Sequence, residues 1–379
     1  MRALLVDQGR DRASLVAVRA LAATGFEVST GAPGPSFASY SRYARAHHEV
    51  REAAEDEDGF VADIAHAVSA RGYDIVFCSY ETGLLALSRR REEIAPAVWP
   101  YPEFEVVRRT FDKLDLFTAA NAAGVPTPHT VTADEAALAS WPGPVVVKAR
   151  NHVPHRFDTA LFASPAEAGE LVRQTLAEGG EPLLQAPLAG TMGAVVIVAG
   201  RGGQIVAEVQ QEATRTWPPG AGDTVLGRVV APDPELSASV ARLSAELGWV
   251  GLAQVELFRD ASGTSWITDF NGRFYGSMAL AIRAGVNVPA IWARDALGLD
   301  PWNGATPAAP RLGARFQWLN RDLAAGWAQG PAGLAAAIAA APVAAPSMFD
   351  GSDPAPVGRY VLPEGARRLR DRALGRAGS

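Results

Sequence analysis

The sequence predicts a mixed α/β and α+β protein, with a small doubly wound N-terminal domain ahead of a larger, hairpin-rich part. Three observations carry this. Over residues 1 to about 105, short apolar runs alternate with amphipathic stretches in the βα manner. Further on, strand-like runs at 194–199 and 204–211, and again at 251–259 and 264–270, are joined by tight polar turns, the mark of antiparallel hairpins. Finally, 379 residues of ordinary globular composition suffice for two or three packed units.

In the first part, 3–6 reads as a buried strand, 14–24 as a helix closed by Gly25, and 26–29 as the next strand. A helix over 56–71 ends at Gly72, a strand follows at 75–79, and a third helix over 81–95 ends at Pro96. The first turn, Asp7-Gln-Gly-Arg-Asp-Arg12, lacks GxGxxG, which argues against a dinucleotide fold of the dehydrogenase type. The acidic run 49–58 reads as a solvated helix start, and 39–43 as a structured loop. The one cysteine, Cys78, lies in an apolar run and is expected to pack in a core in a reducing compartment. The N-terminus lacks the apolar region of a signal peptide, and no run is long enough to span a membrane; the expectation is a cytoplasmic protein. A formal charge of -6 offers nothing to attract nucleic acid.

The second part begins with an amphipathic helix over 111–120, closed by Gly124, and an extended exit at 125–128. After the turn at 142–144, a strand over 145–148 ends on Lys148, and Ser164 with Pro165 opens another helix. His152 and His155 lie three apart but have no third ligand, so they read as loop. A short strand at 182–190 runs into a turn, and the hairpin 194–211 leads into a Gly/Pro-rich loop, 215–222, which holds Arg215. The helix 234–247 ends at Gly248, ahead of the hairpin 251–270 and a helix over 278–284. Residues 305–346, rich in alanine and proline, are expected to be packing with one or two helices, and 367–376 a solvated basic helix.

Candidate chemistry sits in the hairpin. Across the turn at Asp260-Ala-Ser-Gly263, Glu256 is expected to lie opposite Asp269, with Asn271 on the same face. Facing carboxylates repel unless one protonates, a guanidinium sits between them, or a hard divalent cation takes them as ligands. The carboxamide of Asn271 favours the cation, and Arg273 suggests an anion beside it; the alternative is a solvated hairpin with scattered charges. Only two of the 35 basic residues are lysines, Lys113 and Lys148. In a chain that prefers arginine, an ammonium that survives at the end of a regular element suits a phosphate oxygen.

Taken in order, Lys113, Lys148, the Gln185 strand and the hairpin with Glu256 and Asp269-Phe-Asn-Gly-Arg-Phe-Tyr-Gly-Ser277 resemble the ATP-grasp superfamily, and within it the carboxylate-amine ligases. The resemblance covers roughly residues 1 to 300. It implies a two-lobed ATP-grasp domain after the N-terminal one, with boundaries at 1–105, 106–190 (small lobe and lid), 191–305 (large lobe with the metal hairpin) and 306–379 (C-terminal segment). By the same resemblance Glu256, Asp269 and Asn271 would hold Mg²⁺, or Mn²⁺ in its place, on the phosphates of ATP. Lys113 and Lys148 would contact the nucleotide, and Gln185, Ala186 and Leu188 would meet the adenine. Arg273, with Arg215 as a second candidate, would stabilise the transferred phosphoryl group, and a mobile lid is expected between about 130 and 190.

This sequence departs from the family pattern in several places. Asp269 stands where a glutamate is usual, Gly272 where a proline is common, Met192 where many relatives bind the ribose with an acid, and Gln254 where D-alanine ligases carry an arginine. The activity implied is ADP-forming ligation of a small-molecule carboxylate to an amine, on amino-acid-like substrates, with neither nucleic acid nor membrane as partner; a homodimer is compatible with it. An ATP-grasp carboxylase or kinase-like enzyme, or a non-catalytic nucleotide-binding homologue, is the alternative.

Overall fold

The computed structural model describes residues 1–151, 159–218 and 222–361. The N-terminal unit is the expected doubly wound sheet. Strands β1 (Arg2–Val6), β2 (Glu27–Ala32), β3 (Ala44–Glu49) and β4 (Ile75–Cys78) pair in parallel in the order β3-β2-β1-β4. Asp11 caps helix α1 (Arg12–Ala22) by accepting from the Ala13 and Ser14 amides, and Asp56 caps α2 (Glu57–Arg71). Helix α3 (Glu81–Arg89) follows β4 directly, so the Tyr80–Thr82 corner stands at the carboxyl end of the sheet. Ligands of open α/β sheets bind at that end. Strand β3 falls between the loop expected at 39–43 and the acidic run 49–58, where no strand was expected; its residues alternate between half-buried and exposed at the sheet edge, and polarity hid it.

The expected helix over 111–120 is present but begins two residues later, and a further helix stands before it. Asp112 ends α4 (Phe104–Phe111) and caps α5 (Lys113–Ala122), accepting from the Leu114 and Asp115 amides, because a short acid competes with the helix for backbone donors. A four-stranded antiparallel sheet follows, in the order β5-β8-β6-β7: β5 (Thr130–Thr132), β6 (Val145–Ala149), β7 (Thr159–Phe162) and β8 (Pro182–Gln185). Helices α6 (Glu135–Ser140) and α7 (Pro165–Ala177) pack with it over a small core of its own, which includes Val145, Val147, Val172 and Leu184.

The largest sheet has seven strands. Its centre is β9 (Thr191–Ala199), between β10 (Ile205–Trp217) and β12 (Gly251–Arg259); β11 (Asp223–Val229) extends one side and β13 (Ser265–Asn271) closes the other. Helix α8 (Pro234–Leu247) fills the connection to β12 between its Asp233 cap and Gly248, and α9 (Ala279–Arg283) and α10 (Val288–Ala296) follow β13.

Two expectations are corrected in this sheet. Arg215 is not in a loop: β10 runs on to Trp217 and pairs with β11 through a bulge near Arg215, and that pairing overrides the Gly/Pro reading. The segment after 305 is also more than packing. Strands β14 (Arg315–Gln317) and β15 (Ala344–Pro346) join the sheet beside β11, with α11 (Leu319–Ala328) and α12 (Pro331–Ala340) between them. Strands of three residues are specified by their partner, not by local propensity. The segment continues to the N-terminal unit, where buried Asp353 accepts from Arg19 Nε at 2.8 Å, Ser41 Oγ at 2.6 Å and the Arg42 amide at 2.9 Å. Cys78 is wholly buried, as expected. His152, His155 and the 367–376 stretch lie outside the described residues.

Candidate active site

Glu256 and Asp269 are direct partners across β12 and β13, with a bulge after Glu256. Both are half-buried. Asn271 donates from Nδ2 to Glu256 Oε1 at 3.1 Å, so the three side chains form one constellation. Their repulsion is met in a way the sequence did not suggest: the ammonium of Lys113, buried at the start of α5, lies 3.1 Å from Asp269 Oδ2. With the ammonium so buried, this ion pair is screened less than one on the surface.

The two lysines are held by one device. Arg150, just past β6, donates from Nε to Asp112 Oδ2 at 2.9 Å, and its carbonyl accepts the Lys113 amide at 3.1 Å. Burial pushes the Asp112 carboxyl up, but the bonds from Arg150 and from the Asp115 and Leu114 amides prevail and hold it below the ordinary value. The start of α5 and the end of β6 are thereby tied together. Lys148, itself buried, donates to the Thr268 carbonyl at 3.3 Å, beside Asp269.

One cleft of about 1450 Å³ is lined by Lys148, Gln185, Ala186 and Leu188 from the four-stranded antiparallel sheet and the turn after it, and by Glu256, Asp269, Asn271 and Arg273 from the seven-stranded sheet and the turn after it, with Ser79 to Thr82 of the N-terminal unit also in its wall. Gln185 is buried and donates to Thr130 Oγ1 at 3.0 Å, and the Ala186 amide donates to the His129 carbonyl at 2.9 Å. Met192 lines the wall as an apolar surface. Arg273 reaches Glu81 Oε1 at 3.5 Å, and its buried Nε has no hydrogen-bond partner among the described residues. The same is true of the Tyr80, Thr82 and Tyr275 hydroxyls in that wall. Buried polar atoms without partners are rare, and several around one cleft suit a polar ligand.

Arg215 stands apart. It pairs with wholly buried Asp322 at 2.5 Å and is not among the residues lining the cleft. Instead the wall gains Arg10, Arg12, Thr82, Asp223, Tyr275 and Arg321, none of which the sequence singled out as a site residue. The first two were legible in principle, since a charged turn at the carboxyl end of a parallel strand is a ligand-facing place.

Gln254, opposite Asn271, donates to Ser277 Oγ at 3.2 Å, as Gln211 does at 2.8 Å, so this position orders the turn after β13. Gly272 has a steric reason: a Cβ there would lie 2.1 Å from the ring of buried Trp249. Gly272→Ala is expected to destabilise the fold by about 1–3 kcal/mol. Combined with Trp249→Phe, denaturant titration should find the double variant less destabilised than the sum of the two single ones.

Asp7 precedes the turn that carries Arg10 and Arg12. Burial, then the charge of Asp11, pushes its carboxyl up to about 7, against bonds from the Gly9 amide and Ser36 Oγ. Between the ordinary value and about 7 the folded chain holds a proton that the unfolded chain has released, so this group makes stability fall as pH rises through that window. Asp7→Asn should flatten the slope of unfolding free energy from pH 4 to 7 by on the order of 3 kcal/mol in total, measured by urea titration against the wild type.

Among the described residues no group of three or more His, Cys, Asp or Glu could hold a metal ion. Two carboxylates and a carboxamide suit Mg²⁺, which binds few protein ligands and completes its shell with phosphate and water oxygens. Nor is any helix among them long and apolar enough to cross a membrane.

The fold has many solved counterparts. An L-amino acid ligase from Bacillus licheniformis superposes with a TM-score of 0.65 at 16% identity, over 82% of this chain and 78% of that one. An N5-carboxyaminoimidazole synthetase from Staphylococcus aureus gives 0.65 at 15%, over 87% and 86%. A biotin carboxylase from Campylobacter jejuni gives 0.64 at 14%, over 82% and 74%. No family model and no curated protein matches the sequence. The chain therefore has the ATP-grasp fold of these neighbours, as its sequence motifs led one to expect.

Proposed function

We propose that the protein is an ATP-dependent, ADP-forming ligase that activates a carboxylate as an acyl phosphate and joins it to an amine. The observation that carries the reading is the meeting of Glu256, Asp269, Asn271 and Lys148 at one cleft wall, with the Lys113 ammonium buried behind it against Asp269. Its likeness in fold to an L-amino acid ligase, and to a purK protein solved as an ADP complex, supports it.

The residues fit Mg-ATP. Glu256, Asp269 and Asn271 supply oxygen ligands, and Mg²⁺, when bound, supplies neutralisation of phosphate charge. Lys113 and Lys148 present ammonium groups from the buried side of the same strands. Gln185, Ala186 and Leu188 form the edge that receives the adenine. Arg273 faces the cleft beside Glu81 and holds the anionic acyl phosphate, which makes the carboxyl carbon electrophilic enough for an amine. A cavity of about 1450 Å³ exceeds the usual span of a single small-molecule site and has room for nucleotide and substrate together. The intermediate is labile to water and must be shielded; the lid expected at 130–190 includes residues 152–158, which lie outside the described residues.

The test is a panel of carboxylates and amines with Mg-ATP, read as ADP release and by mass spectrometry of the product. ADP formation that needs both partners, with an amide as product, is the expected result. Sustained phosphate release without amine would move the protein to the carboxylase or kinase-like class. Binding of Mg-ATP with no turnover across the panel would make it a nucleotide-binding homologue.

A further inference from the structure

Two arginines approach one indole ring from opposite ends of the chain. Arg12, at the start of α1, lays its guanidinium on Trp318, with Cζ 3.3 Å from the ring centroid. Arg321, three residues after Trp318, holds its Cζ 5.3 Å from the same centroid. Both line the cleft that holds Glu256 and Asp269. Neither is placed by accident. The Nε of Arg12 donates to the Gly276 carbonyl at 3.2 Å, and a Cβ at 276 would fall 2.2 Å from Arg12 Nη2, so only glycine admits the guanidinium there. Helix α11, which carries Arg321, is pinned at the next residue: Asp322 takes Arg215 at 2.5 Å and Gln317 Nε2 at 2.7 Å.

Like charges so near one another repel, and the acids around them compensate only in part. Asp11 is committed to capping α1, and Asp223 is exposed at the start of β11. Arg321 forms no hydrogen bond or ion pair among the described residues. Burial first, and Arg321 with it, lowers the proton affinity of Arg12 to about 10 against the pull of Asp223 and Asp11.

We propose that Arg12 and Arg321 form a subsite for a spectator carboxylate, one that the substrate carries in addition to the group that reacts, so that the amine substrate is an amino acid and not a simple amine. This rests on the ligase reading of the cleft. A carboxylate matches a guanidinium fork with two parallel hydrogen bonds, and its charge removes the repulsion between the two arginines. Asp11 and Asp223 line the same wall, and acids beside the two arginines favour a ligand bearing both signs over a dianionic phosphate.

The experiment is calorimetry on the full chain with a non-hydrolysable ATP analogue and Mg²⁺, using the common L-amino acids, their carboxamides, and phosphoethanolamine. At least one amino acid should bind about tenfold or more tightly than its carboxamide, because a subsite built for an anion is left unpaired by the neutral analogue. Arg321→Ala should reduce that ratio to below about threefold; Arg321 is exposed, so its unfolding midpoint serves as the control for folding. Arg12→Lys, which keeps charge but loses the fork, should reduce the ratio as well. The subsite is overturned if no amino acid outbinds its carboxamide, if Arg321→Ala leaves the ratio unchanged, or if phosphoethanolamine binds more tightly than every amino acid. The readout needs no turnover. A carboxylate preference without ADP release would overturn the ligase reading and keep the subsite, whereas ADP release indifferent to carboxamidation would overturn the subsite alone.

Discussion

Glu256→Ala is expected to cut ADP release by about 10²–10³-fold and to abolish the thermal stabilisation that Mg-ATP confers, while leaving the ligand-free unfolding midpoint where it was or slightly higher. The two halves of this expectation have different origins. The loss follows from the proposed metal site, in which Glu256 would be one of two carboxylate ligands; among the described residues no third acid joins them. The unchanged midpoint follows from electrostatics: Glu256 faces Asp269 across the strand pair, so deleting it removes a like-charge repulsion that offsets the loss of its own contacts, the bond from Asn271 among them. Scanning fluorimetry with and without Mg-ATP, beside the ADP assay, separates them. A variant that kept its Mg-ATP shift would remove Glu256 from the metal site.

Asp353→Ala should have the largest effect on stability. Its carboxylate is wholly buried, with Arg19, Ser41 and the Arg42 amide all donating to it. Its loss leaves a largely buried guanidinium without its counter-charge, which costs about 3–5 kcal/mol in comparable sites. Arg19 also donates to the Met348 and Asp353 carbonyls, so the damage should reach β15. Urea titration should record the loss, and hydrogen exchange should show residues 344–353 opening ahead of the central strands. Equal protection of both regions would mean that the clamp does not hold the segment down.

What could be read from the sequence was local. The hairpin was legible because two strand-like runs bracket a short polar turn, but its register was not: counting from the turn pairs Glu256 with Ile267, and Glu256 meets Asp269 because Arg259 pairs with Ser265 and a bulge follows the Leu257–Ile267 pair. Lys113 and Lys148 stood out through rarity, and the structure puts both beside the hairpin. Their coupling through Asp112 and Arg150 was not legible, because it depends on a capped helix start at Asp112 and on a contact between residues 38 apart in the chain. Arg215 looked like a site residue because it stood alone among glycines and prolines; its partner, Asp322, lies in a stretch whose composition is mostly alanine. Strands β14 and β15 carry too few residues to declare themselves, and the arginines around Trp318 meet only once those strands have brought α11 to the cleft.

The clamp from Arg19 to Asp353 spans 334 residues of chain, and the bond from Arg12 to Gly276 spans 264. Closing such loops costs entropy before any contact repays it. Helix α1 forms early from its own cap and its own sheet, but its outward-facing arginines find their partners only after nearly all the rest of the chain has been made and placed. The protein is thus expected to complete its folding late and as a whole, with the wall of the cleft among the last parts to be finished, and a ribosome-bound chain halted before residue 315 would hold the lysines and the acids without the surface that closes over them.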